Sequence, residues 1–419
     1  MVAHAQVIET SEEEAYCAVA KHLAELKDGA QDSAFAEECE QLYAADQHEK
    51  LLDKFISALD AVLSSSSSDA DLECCLNLTC HLVPRIPLPA AVGAAQRLAA
   101  ALASSIDTRA DERLLALVTL YNAAADVDTK AAVLLEALSY ARKAGLADIM
   151  LPVIRAHADA WPEELQLGAG GERTLYTACA ETLAACTRKP RTAARESYRL
   201  LSKCLATYEG APAAELPSAV PAAVQVVSEF IRSPDMFQFD LAANPAVAQL
   251  GSSGSGEQRA LHRLLTIFLT GTVQDYQAFT ASSEGTAVLA AVGISAEDAL
   301  AKMRLLAFMG LAHGAEEITF DQIQAALGLP AGEVEGAVVQ AIGKRIIEAR
   351  IDQLRAVVAI TKCAPRTFGA EHWKELQHTL AGWREAAEMA QTALTEAATG
   401  AARPAAGVAG GPAPAPVRA

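Results

Sequence analysis

Between residues 300 and 368 the spacing of apolar positions switches from helical to alternating, and the switch outlines a small mixed module. Residues 300–310 carry apolar groups nearly all round a helix, which predicts a segment packed on several sides. Glu317-Ile318-Thr319 reads as a short extended piece, and residues 320–327 return to helical spacing until Gly328 and Pro330 stop them. A second helix is expected over residues 332–342, where Val334, Val338, Ala341 and Ile342 recur, with Gly328-Leu329-Pro330 as the tight corner between the two. Residues 346–352 and 355–362 then alternate as strands. Ile347, Ala349 and Ile351 point inward, Glu348 and Arg350 outward, and Asp352-Gln353-Leu354 forms the turn. Helix, strand, helix, helix and hairpin make a winged helix, with an expected core of Met303, Leu306, Phe308, Ile318, Val338, Ile342 and Ile351.

Upstream the same spacing is purely helical. Residues 12–63 carry helical text up to the serine run 64–68, a flexible link after which Asp69 is placed to cap the next helix. From there to residue 235, apolar blocks separated by Pro, Gly or Asp predict helices near 71–83, 90–105, 111–124, 129–144 and 173–186. No strict repeat period is present, and a loose helical-repeat solenoid fits best. The glycine- and serine-rich run 251–256 reads as a surface loop. Residues 370–399 form one long helix with an apolar stripe of Trp373, Leu376, Leu380, Trp383, Ala387 and Ala390, which must bury against something. Residues 400–419, rich in Pro, Ala and Gly, read as disordered. The expected architecture is mainly α: a right-handed helical-repeat array, a winged helix and a long C-terminal helix. The expected divisions are 1–68, 69–235, 236–368, 370–399 and 400–419.

Composition narrows the function. At 419 residues and 52% hydrophobic the chain can bury an ample core, and nine cysteines without a disulfide-like framework fit a reducing compartment, cytosolic or nuclear, with the cytoplasm the expected location. A formal charge of −18 opposes a protein whose affinity comes from neutralising nucleic-acid phosphates, so DNA is not an expected partner. The acidic start lacks the features of a secretory signal, and no stretch is apolar enough to span a bilayer.

Candidate chemistry is sparse. Glu333 and Glu335 open the helix that would read DNA, while Lys344 and Arg345 lie only at its end, so this helix suits protein contact better than a groove. Cys74, Cys75, Cys80 and His81 are close in sequence, but adjacent cysteines on a helix diverge by about 100°, and buried structural thiols are expected there, as at Cys179 and Cys186. No nucleophile elbow, phosphate loop or dinucleotide fingerprint occurs, so no catalytic, metal-binding or cofactor-binding residue is assigned. Arg191, Arg195, Arg199 and Lys203 recur every four residues along one helix flank. They are a candidate contact for RNA or an acidic partner, or a solvated face balanced by Glu196 and Glu209.

A helical array ending in a winged helix is the layout of the PCI scaffold family, found in the proteasome lid, the COP9 signalosome and eukaryotic translation initiation factor three. Within it, the text Lys302-Met303-Arg304-Leu305-Leu306-x-Phe308-Met309-Gly310, Ile351-Asp352-Gln353, Arg366-Thr367-Phe368-Gly369, Trp373 and Trp383 resembles the m-subunit family of that initiation factor. Phe237-x-Phe239-Asp240 and Leu264-Leu265-Thr266-Ile267-Phe268 fit the same pattern, whereas the run 251–256 and the tail depart from it. The resemblance implies a non-enzymatic subunit that helps the factor assemble with other PCI and MPN subunits, bind the small ribosomal subunit and form the pre-initiation complex. It also implies that PCI winged helices line up edge to edge and that the following helices gather into a bundle. Arg355, Val357, Ala359 and Thr361 are then expected at the PCI contact, and Trp373, Leu376, Leu380 and Trp383 in the bundle. The rival readings are a PCI subunit of the signalosome or lid, and a winged-helix nucleic-acid binder using the Arg191 to Lys203 stripe.

Overall fold

The computed structural model describes residues 12–28, 33–65, 68–252, 254–367 and 369–401, and these form twenty α-helices and one three-stranded sheet. α1 (Glu12–Asp28), α2 (Ala34–Ala44) and α3 (His48–Leu63) precede the serine run. After it come α4 (Asp69–His81), α5 (Ala90–Leu102), α6 (Ala110–Ala123), α7 (Val127–Lys143), α8 (Ala147–His157) and the single turn α9 (Trp161–Glu164). The series continues through α10 (Ala169–Ala184), α11 (Pro190–Ala206), α12 (Val220–Arg232), α13 (Pro245–Ser252), α14 (Gly256–Thr270), α15 (Val273–Thr280), α16 (Ser283–Val292) and α17 (Ala296–Ala312).

Short polar residues set the helix starts by accepting from backbone N–H groups that have no intrahelical partner. Ser68, rather than the expected Asp69, caps α4 by accepting from Asp71 N, and Asp69 is instead ion-paired with Arg109. Asp126 caps α7 at 2.7 Å, and Ser255 and Thr272 form reciprocal capping boxes with Gln258 and Asp275. The run 251–256 is therefore not a loop throughout. α13 extends to Ser252 and Ser255 already caps α14, because Gly251 lets the chain pass His262: a Cβ there would lie 2.7 Å from its Nδ1.

The chain divides into two compact units, one of residues 1–236 and 241–304 and one of residues 237–240 and 305–419, the division falling within α17. The first unit thus takes in the expected segments 1–68 and 69–235 together. In it most helices pack on the next and several on the next but one: α3 on α5, α5 on α7, α4 on α6, α12 on α14. This is the layering of a helical repeat. Cations tie the layers by closing helix ends, one buried and one half-buried. Arg113, 1% exposed on α6, donates to Leu102 O at 2.9 Å and Thr108 O at 2.9 Å, and Arg173 on α10 donates to Thr207 O at 3.0 Å beyond the end of α11.

The second unit follows the expected order: β1 (Glu317–Thr319), α18 (Phe320–Leu327), α19 (Val334–Gly343), β2 (Ile347–Asp352), β3 (Val357–Cys363) and α20 (Ala370–Ala401). A 3₁₀ turn, Ala331–Glu333, precedes α19, so the helix starts later than its glycine suggested. The sheet order is β1-β3-β2, antiparallel throughout, with Ile318 opposite Val358. Met303, Leu306, Phe308, Ile318 and Val338 are buried as expected. Ile342 and Ile351 are only half-buried: Ile342 lies one residue from the end of α19, and Ile351 lies on the edge strand. The β2–β3 register skips Thr361 in a bulge, which interrupts the alternation that placed Ile347, Ala349 and Ile351 on one covered face.

Candidate assembly surfaces

The sheet offers one long free edge. β3 pairs on both sides, with β1 and with β2, so its backbone is not free to extend the sheet. Of the four residues expected at a PCI contact, Val357 is buried, Ala359 half-buried and Thr361 exposed as the bulge residue. Arg355 donates in a fork to Glu317, with Nη2 to Oε2 at 3.0 Å and Nη1 to Oε1 at 3.3 Å, and so clasps the wing to β1. The edge belongs to β2, whose Glu348 pairs with Lys362. At the wing tip, Asp352 Oδ1 accepts from Leu354 N and Arg355 N, both at 3.1 Å, and holds a turn whose Leu354 side chain is fully exposed. An apolar residue among the polar ones of a turn was the sequence signal for this position. Gln353 donates to Glu335 at 2.7 Å, fixing the acidic start of α19 against the wing.

α20 spans 32 residues and, at about 1.5 Å per residue, is a rod with an open apolar side. Trp373, Leu376, Leu380 and Trp383 are 63%, 41%, 50% and 68% exposed, so the stripe expected to be buried lies largely open. Leu394, 72% exposed, prolongs it. The positions 373, 376, 380, 383, 387, 390 and 394 alternate steps of three and four, which is the period of a seam between supercoiled helices. A shallow groove lined by Trp373, Leu376, Gln377, Leu380, Ala381 and Arg384 runs along its first half. At the base of the rod the rings of His313 and His372 lie 5.3 Å apart.

The basic flank of α11 is largely paired. Arg199 donates to Asp159 at 2.6 Å and Glu196 at 2.9 Å, Lys203 donates to Asp159 at 2.7 Å, and Arg195 lies 3.3 Å from Asp235. Arg191 and Arg195 line a cleft between α11 and α12 with Glu229, Arg232 and Asp235. The expected counter-charge Glu196 takes part, but Asp159 and Asp235, distant in sequence, do more than Glu209.

The cysteine cluster opens outward and inward by turns. Cys75 and Cys80 are buried and Cys74 exposed; burial pushes the Cys75, Cys80 and Cys179 thiols up to about 12, and Cys80 Sγ donates to Ala116 O at 3.4 Å. Among the described residues no group of three His, Cys, Asp or Glu is arranged to hold a metal ion, and no helix is long and apolar enough to cross a membrane.

The second unit joins a packed helical core to a three-stranded wing, and residues 277–362 run from within α15 of the first unit through that core and wing, ending before α20. These residues match the PCI domain family. The PCI match thus includes the end of the array, the winged helix and the β2 edge. The chain is also similar to proteins named eukaryotic translation initiation factor 3 subunit M. It is 30% identical over 226 residues to the one from Danio rerio, covering 54% of this chain and 56% of that one. It is 36% identical over 125 residues to that of Nematostella vectensis (30% and 32%), and 35% identical over 129 residues to that of Homo sapiens (31% and 34%). The matched segments span about half the length of these curated relatives or less.

Proposed function

We propose that this chain is a non-catalytic scaffold subunit of a translation initiation factor 3 assembly, working in the cytoplasm. It joins neighbouring PCI and MPN subunits, and so supports binding of the small ribosomal subunit and formation of the pre-initiation complex. The observation that carries the proposal is α20: two tryptophans and three leucines, exposed in a row at coiled-coil spacing, directly after a PCI winged helix. Fully burying each such side chain is worth about 1.5–3 kcal/mol, which favours a helical bundle with partner subunits over solvent. The second contact is the sheet edge, through β2 and the wing tip rather than through the backbone of β3. The acidic start of α19 and the carboxylates within the α11 stripe weigh against nucleic acid as the main partner.

Affinity purification of the tagged full-length chain at moderate salt, with mass spectrometry of stoichiometric partners, tests this. Recovery of initiation-factor subunits, reduced by Trp383→Ala, is the expected result. Recovery of signalosome or lid subunits would keep the scaffold role and change the complex; recovery of nucleic acid alone would overturn it.

A further inference from the structure

A second apolar surface lies within the first unit, on the outer side of α8. This helix buries Ala147, Met150, Leu151 and Ile154, which suffices to hold it in the array. Its opposite side is apolar as well: Ile149 and Val153 are 49% and 38% exposed, and Pro152 and Ala156 are exposed beside them. Positions 149, 152, 153 and 156 follow the i, i+3, i+4, i+7 spacing of a helical stripe. An apolar stripe beyond what the fold needs, bordered by charge, has the make-up of an association site.

The border is α11. At one end of α8, Asp148 accepts from Arg188 N at 3.0 Å and from Thr187 Oγ1 at 3.0 Å, just before α11 begins. At the other, Asp159 accepts from Arg199 and Lys203, and Arg155 lies 3.5 Å from Glu196. These contacts hold the cationic flank of α11 alongside the stripe. A depression of about 380 Å³, lined by Pro152, Arg155, Ala156, Asp159, Glu196 and Arg199, lies between the two helices.

We propose that α8 and α11 form a docking face for an amphipathic helix of a partner protein whose apolar side is flanked by carboxylates. Apolar anchors at helical spacing set into a shallow groove are the mode by which such helices are recognised. On and beside this face the cations Arg155, Arg188, Arg191, Arg195, Arg199, Lys203 and Arg232 outnumber the carboxylates Asp148, Asp159, Glu196, Glu229 and Asp235 on a chain whose formal charge is −18, so the face complements an acidic segment. A nucleic-acid backbone would gain nothing from Ile149 and Val153 and would meet Asp159 and Glu196 among the cations. This face is separate from α20, so the inference does not depend on the bundle contact.

The test is fluorescence anisotropy of the full chain with a synthetic labelled peptide of about five helical turns, carrying leucine at i, i+3, i+4 and i+7 and glutamate on its flanks. Saturable binding at micromolar concentration is expected, weakened about tenfold by Ile149→Ser with Val153→Ser and by Arg191→Glu with Arg195→Glu. Circular dichroism checks that these exposed substitutions leave the fold intact. Binding should persist in Trp373→Ala with Trp383→Ala, and a scrambled peptide of the same composition should bind about tenfold more weakly. Absence of binding, equal binding of the scrambled peptide, loss only in the tryptophan variant, or displacement of the peptide by polyuridine RNA would each overturn the proposal.

Discussion

Lys302 is 3% exposed on α17, and its ammonium donates to Phe230 O and, at 2.7 Å, to Ser233 O, the carbonyls at the end of α12. It also lies 4.3 Å from the centre of the Phe230 ring. Lys302→Met keeps the apolar stem but leaves those carbonyls without their donor, so it should destabilise the first unit by about 2–4 kcal/mol, read as a lower urea midpoint. The sequence displayed Lys302 only as one letter of a resembling motif; its partners lie some seventy positions away, and no local pattern points to them. Asp159 is a similar case at the surface. Its carboxyl is held below its ordinary value of 3.8, chiefly by accepting a hydrogen bond from Lys203 and also by Arg199. Because the folded chain binds this proton more weakly than the unfolded one, the stabilisation is present above 3.8 and is lost as pH falls through the lowered value. Asp159→Asn should therefore lower stability near neutrality by less than about 1 kcal/mol for so exposed a group, seen as a slightly lower melting temperature, and the difference from the parent should close as melts are taken at pH values progressively below 3.8.

Periodicity made most elements legible, since a helix or strand that buries one side must repeat apolar residues at its own period. α18 and β1 match the expected bounds, and α5, α6 and α7 lie within three residues of theirs. The exceptions share a cause: at these positions contacts, not composition, decide the local structure. The run 251–256 has the make-up of a linker, yet its glycines are there for close approach, and a Cβ on Gly254 would strike the Leu250 carbonyl oxygen. Gly254→Ala should cost about 1–3 kcal/mol, and Ser255→Ala about 1 kcal/mol through loss of the capping box, both measured by urea unfolding. A true flexible linker would tolerate both. β3 was likewise readable as a strand but not as the central one, because pairing with β1, some forty residues earlier, leaves no mark on the alternation of β3 itself.

At the scale of the molecule, the contrast between Phe308 and Trp383 separates what folds the chain from what the chain is built to meet. Both are aromatic residues in apolar stripes and looked alike in sequence; in the structure one is 1% and the other 68% exposed. Phe308→Ala removes a ring from a closed core and should cost about 3–5 kcal/mol of the isolated chain's stability. Trp383→Ala removes a ring from solvent, and the isolated chain should stay within about 0.5 kcal/mol of the parent. The same substitution should weaken capture of partner subunits by about 2–4 kcal/mol, because a tryptophan at the middle of a helical seam is the kind of side chain on which such contacts turn. Urea unfolding of the isolated chain and subunit capture at matched concentrations read the two effects independently. A loss of chain stability in Trp383→Ala comparable to that in Phe308→Ala would mean that α20 folds onto this chain in solution; unchanged capture with unchanged stability would remove the stripe from the assembly altogether.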